Sequence, residues 1–201
     1  MKAQRALGAT ALFVGVLLGI YVLHVRWLKV DVVFYAALGD AVLATVLSGV
    51  TVFFVPFFRP LSRFEKALLL IIWLLGGYAF AISVPTVIDR SLSFYILEKL
   101  QQRGGSLSQE ALAHVFRNEY MREHRLVEVR LTEQLASGTI TLENGCVGLT
   151  PKGQAIARFS RFFRKHFLPK KRLLMGEYTD ALTDPFRGSE ASAPWPTDHA
   201  R

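Results

Sequence analysis

A single carboxylate, Asp40, interrupts an otherwise uncharged run of 27 residues from Val32 to Phe58. A charged Asp in a membrane-spanning helix costs ~2.5–3.5 kcal/mol on insertion scales, so it must be neutralised or paired inside a protein interface. Its chemistry would then be that of a ligand, proton or partner site. The plainer alternative is a protonated Asp hydrogen-bonded to a neighbouring helix with a structural role only. No second ionisable residue lies inside the uncharged runs of the chain, and a transporter or proton relay ordinarily needs several. A second chemical feature is the stretch Arg158 to Arg172, which holds seven Lys/Arg, one His and four Phe with no acidic residue. Basic residues interleaved with aromatics suit an anionic leaflet, each adding ~1 kcal/mol near the surface. The membrane-surface candidates are Arg158, Arg161, Phe162, Arg164, Lys165, Lys170, Lys171 and Arg172; a solvated helix face with a Phe core stripe is the competing reading.

Other chemistry is not supported. One cysteine, Cys146, rules out a disulfide framework and a Cys-rich zinc site. His24, His114, His124, His166 and His199 show no metal-ligand spacing on a common helix, so no metal is expected. There is no Gly-rich phosphate loop, nucleophile elbow or paired-carboxylate constellation. No cofactor and no small-molecule substrate is indicated, and an enzyme is disfavoured, although an active site shared with a partner stays open.

The elements that must position these residues follow from how charge is distributed. The chain has 201 residues, 51% of them apolar and 20% charged, with a net charge of +8. Of 16 acidic residues only Asp31, Asp40 and Glu65 precede residue 89. Three runs are long enough for the ~20 helical residues that cross a bilayer: Ala6 to Leu23, Val32 to Phe58 and Ala67 to Ile88, of 18, 27 and 22 residues. The first has basic residues ahead of it, as a signal peptide does, but no small-x-small cleavage site follows, so it reads as a retained span. Small residues recur every fourth position, Ala11, Gly15 and Gly19 on the first helix and Ala36, Asp40, Ala44 and Ser48 on the second. Such stripes let a neighbouring backbone approach, and they form the expected helix-packing and partner interface. Lys and Arg flanking the spans tie at five a side, so orientation rests on the basic, Phe-rich stretch. This favours an external N-terminus and a cytosolic C-terminal part in a bacterial-type plasma (inner) membrane.

From residue 89 the pattern is that of a small polar domain. Leu92, Ile96 and Leu100 make a helical stripe that stops at Gly104-Gly105. Ser106 with Gln109 matches a capping box opening a short helix through Phe116. A further helix carries Val127, Leu131 and Leu135 on one face and ends at Ser137-Gly138. Thr139–Leu142, Glu143-Asn144-Gly145 and Cys146–Leu149 read as a β-hairpin with a type I′ turn. Thr150-Pro151 then opens a last helix. Leu131-x-x-x-Leu135-x-x-Gly138-x-Ile140, the hairpin and Leu149-Thr-Pro-Lys-Gly153 resemble the wing region of winged helix-turn-helix regulators, over residues ~90–165. The resemblance implies DNA binding, with the third helix in the major groove and the wing on phosphate. Against that, Arg117, Arg122, Arg125 and Arg130 alternate with Glu119, Glu123, Glu128 and Glu133, which leaves the reading surface neutral. Nucleic acid is thus a disfavoured partner.

The expected architecture is mainly α: a three-helix transmembrane domain (1–88), a small α+β winged-helix-like cytosolic domain (89–172) ending in a basic, Phe-rich membrane-proximal helix, and an irregular tail (173–201). The expected function is that of a non-catalytic accessory or scaffold subunit for complex assembly. It would pack against a larger integral membrane protein, touch membrane lipid and make protein–protein contacts through its winged helix. The alternatives are a membrane-tethered transcriptional regulator and a small transporter or sensor centred on Asp40.

Overall fold

The computed structural model describes residues 2–187, and the chain is mainly helical. Three helices are long and apolar enough to cross a membrane. Helix α1 runs Lys2–Trp27 and α2 runs Val33–Phe54. The chain then turns through Pro56–Phe58, since a proline has no N–H to continue the ladder and holds the preceding Val55 extended. Helix α3, Arg63–Ser83, opens with a capping box in which Ser62 Oγ accepts from Glu65 N at 3.2 Å and Glu65 Oε2 accepts from Ser62 N at 2.6 Å. It breaks at Val84, and the short helix α4, Pro85–Arg90, carries on. Against the expected spans of 6–23, 32–58 and 67–88, the first helix is longer, the second shorter, and the third begins earlier and reaches Arg90 only through the break into α4. The charged ends Lys2 and Glu65 pair with each other at 3.0 Å, which lets helical structure extend past the uncharged core.

Helix α2 is the central element, with 44% of its apolar window buried against 17% and 22% for the other two spans. The core draws Ala9, Phe13 and Leu17 from α1, Ala41, Ala44 and Val52 from α2, and Trp73 from α3. Phe13 and Trp73 stack with centroids 5.3 Å apart, and the Trp73 indole N–H donates to Thr10 Oγ1 at 3.2 Å. At Gly77 a side chain would lie 2.6 Å from Ala41 Cβ, so α2 and α3 touch where only hydrogen fits. Outward faces carry exposed Leu18, Val22, Val46, Val50, Ile71 and Leu75, as a lipid-facing surface requires.

The chain forms two compact units, one ending at Glu123 and the other beginning at His124, whereas the change in composition falls at 88/89. Beyond the spans, the first unit contains α5 (Leu92–Gln102), α6 (Gln109–Val115), a π-helical segment Phe116–Tyr120 and the single turn α7 (Met121–Glu123). The cap of α6 is Ser108, whose Oγ accepts from Ala111 N at 3.1 Å, and not Ser106. Gln109 is the first helical residue, one position after that cap, so it cannot act as the third-position partner of a capping box.

The second unit begins with α8, Leu126–Ala136, followed by an antiparallel pair, β1 (Ile140–Glu143) and β2 (Cys146–Leu149), in the register Ile140↔Leu149. Asn144 and Gly145 both have positive φ, 50° and 78°, the condition for a type I′ turn. Helix α9, Pro151–Phe167, is capped by Thr150, whose Oγ1 accepts from Gly153 N at 3.0 Å. A side chain at position 153 would drive into the Thr139 carbonyl and the Leu149 side chain, so glycine lets the first turn of α9 seat against the hairpin. Lys152 Nζ reaches Ser137 O at 2.6 Å and closes the same junction. The segment expected to be an irregular tail from residue 173 begins instead with a second hairpin, β3 (Arg172–Leu174) with β4 (Glu177–Thr179). The turn Met175-Gly176 has positive φ at both residues, a local signal hidden by the absence of alternating polarity. Trp195 and His199 lie outside the described residues.

Candidate functional site

His24 is three residues from the end of α1 and Asp40 seven residues into α2. At about 1.5 Å rise per residue, the two lie within roughly one helical turn of the same depth in the helical hairpin. The structure brings them together, with His24 Nδ1 2.7 Å from Asp40 Oδ1. A carboxylate can only accept, so with Asp40 ionised the proton of this bond sits on Nδ1. His24 closes the first uncharged run instead of lying inside it, so the partner of Asp40 comes from the residue that bounds that run.

Asp40 is buried to 4% exposure, and its second oxygen, Oδ2, has no hydrogen-bond partner among the described residues. The pair opens onto a groove of about 540 Å³ between α1 and α2 whose lining is otherwise almost wholly apolar. Ile20, Leu23, Trp27, Tyr35, Gly39 and Leu43 are among its walls. This is a carboxylate in a largely apolar setting, with one oxygen bonded to an imidazole and the other buried without a hydrogen-bond partner among the described residues.

The two small-residue stripes part company. On α2, Asp40, Ala44 and Ser48 turn inward, Ala44 and Ser48 to complete burial, so they are covered by this chain's own helices instead of being left for a partner; Ala36 is half-buried. On α1, Ala11, Gly15 and Gly19 are exposed, and a side chain added at either glycine would meet nothing within 4 Å. They lie two positions, about 200°, from the buried set Ala9, Phe13 and Leu17.

The basic candidates divide as well. Arg158, Arg161, Arg164 and Lys165 share one side of α9, while Lys170, Lys171 and Arg172 follow its end and lead into β3. The opposite side carries Ile156, Phe159, Phe163 and Phe167, all exposed, with Phe159–Phe163 and Phe163–Phe167 ring centroids 6.0 and 5.3 Å apart. These phenylalanines form the apolar face, and their i, i+4 spacing is the signal for it. Phe162 lies beside this face, its ring 4.5 Å from that of His166 and 5.8 Å from that of Phe167, and lines a hollow of about 170 Å³ with Thr183, Pro185 and Phe186.

The alternating charges of 117–133 are absorbed largely as ion pairs. Lys99 is buried between Glu119 at 2.7 Å and Glu123 at 2.6 Å, Arg103 bonds Glu119 at 3.0 Å, and the Tyr95 hydroxyl donates to Glu123 at 2.8 Å. On α8, Arg130 pairs with Glu133 at 2.7 Å and Arg125 with Glu128 at 3.4 Å. No protein-family model matches the chain, and no match was found among curated proteins or solved structures.

Proposed function

We propose that this chain is a non-catalytic membrane subunit whose three spans pack against a larger integral membrane protein and whose winged-helix-like part docks a protein partner on the cytosolic side. The observation that carries the reading is the outward Ala11–Gly15–Gly19 face of α1. The bundle packs through the opposite side of that helix, and the glycines offer a surface against which a second backbone can pack closely without a cavity. The polar part supports protein docking over DNA binding. Arg125 and Arg130 are matched by Glu128 and Glu133, and a surface with no excess of cations gains little from phosphate. The basic side of α9, with its Phe face opposite, suits the anionic membrane surface of the cytosolic leaflet.

The test is mild-detergent purification followed by mass spectrometry, with Gly15→Leu/Gly19→Leu as the variant. The unmodified chain should bring down a second membrane protein in stoichiometric amount. The double variant should lose it while keeping its own thermal unfolding unchanged, because neither glycine touches its own bundle. Recovery of the unmodified chain alone, with salt-sensitive DNA binding, would favour the membrane-tethered regulator instead.

A further inference from the structure

We infer that the groove beside His24 and Asp40 is a binding site for a protonated primary amine carried on an apolar body. Three independent features converge. The groove is a concavity of about 540 Å³ between α1 and α2, inside the range of small-molecule sites. Its walls are almost wholly apolar apart from His24 and Asp40. The carboxylate there is half-satisfied: Oδ1 holds His24 Nδ1 at 2.7 Å, while Oδ2 is buried and unpartnered.

A buried oxygen left unsatisfied is destabilising, so it calls for a donor. An ammonium supplies both the donor and the compensating positive charge, and with His24 neutral it would leave the site electrically balanced. Trp27 and Tyr35 line the same groove and offer aromatic faces to a cation, an attraction that strengthens when water is excluded. A carboxylate or phosphate head that carries no ammonium would meet the Asp40 charge and be repelled. An uncharged alcohol would satisfy Oδ2 but leave the charge uncompensated. The apolar body is required because Ile20, Leu23, Leu28 and Leu43 form most of the remaining wall. Two sources supply this chemistry: the headgroup of an amine-bearing bilayer lipid, and a free long-chain amine.

The experiment uses the full chain in nonionic detergent and in lipid nanodiscs. Dodecylamine should bind with a Kd at least tenfold lower than dodecanol, and dodecyl sulfate should not bind measurably. Asp40→Asn keeps the shape and removes the charge, and should weaken dodecylamine at least tenfold. Gly39→Leu fills the groove from a position with nothing within 4 Å and leaves the pair untouched; it should abolish binding with thermal unfolding unchanged. If Asp40→Asn fails to fold, Gly39→Leu decides. In nanodiscs of phosphatidylethanolamine and phosphatidylcholine, retention of the ethanolamine lipid by native mass spectrometry, lost in Gly39→Leu, assigns the site to a headgroup. Dodecylamine binding without lipid retention assigns it to a free amine. Equal binding of dodecanol and dodecylamine, or dodecylamine binding unaffected by Gly39→Leu, overturns the inference.

Discussion

Lys99 shows how a single buried cation sets the behaviour of its neighbours. Its bonds to Glu119 and Glu123 hold both carboxyls below the usual carboxylate range, Lys99 being the first cause in each case, with Arg103 adding to Glu119 and Tyr95 to Glu123. Lys99 itself is raised by the same two glutamates, and Tyr95 is pushed up to about 12, first by burial and then by the carboxylate it donates to. The two carboxylates therefore contribute stability that is present above their unfolded values, about 4.3, and lost as pH falls through the lower folded ones. Lys99 and Tyr95 contribute in the other direction. Their stability is present below the unfolded values, about 10, and lost as pH rises, for Tyr95 between about 10 and about 12. Thermal unfolding of the wild type across pH should thus decline on both flanks. Tyr95→Phe should cost about 1 kcal/mol at pH 7 and show a shallower alkaline decline. An unchanged alkaline slope in the variant would show that Tyr95 does not titrate with unfolding.

At the scale of elements, what was legible depended on whether the signal was local. Apolar runs declare helices because lipid leaves the backbone no other partner, and the Asn144-Gly145 turn declares its hairpin because few residues tolerate two successive positive φ values. Helix ends were less legible. The Ser62–Glu65 capping box is written in the sequence, but a run defined by absence of charge starts only after Lys66. The His24–Asp40 contact was hidden because sequence fixes depth along a helix more readily than rotation about it. Counting inward from the 28–32 connection would have placed the two at similar depth, without showing that they face one another. The motif Leu149-Thr-Pro-Lys-Gly153 was legible as a helix start, but the reason for its glycine was not: the Thr139 carbonyl occupies the space of a side chain. Gly153→Ala should destabilise the unit holding α8, the first hairpin and α9 by about 1–3 kcal/mol, as overpacking does. Hydrogen exchange at β1 and β2 amides checks this. Protection there should fall, while amides of α2 stay unchanged.

For the whole molecule, the arrangement of the spans bears on how the chain is made. The 18-residue apolar stretch of α2 has a mean hydropathy of 1.8 against 2.3 for those of the other two spans, because it carries Asp40 and a stripe of small residues at its centre. That composition serves the bundle, where Ala41 meets Gly77 and Ser48 is enclosed, but it is poor for a helix meeting lipid alone. One Asp adds ~2.5–3.5 kcal/mol to apparent insertion free energy. The His24 bond offsets part of that only after α1 is already in place, so biogenesis should be ordered and cooperative, with α2 entering the bilayer as the second arm of a hairpin. In a glycosylation-reporter assay, α2 by itself should insert incompletely, and α1 placed ahead of it should raise the inserted fraction. His24→Ala should remove part of that gain, and Asp40→Leu should make α2 insert without help.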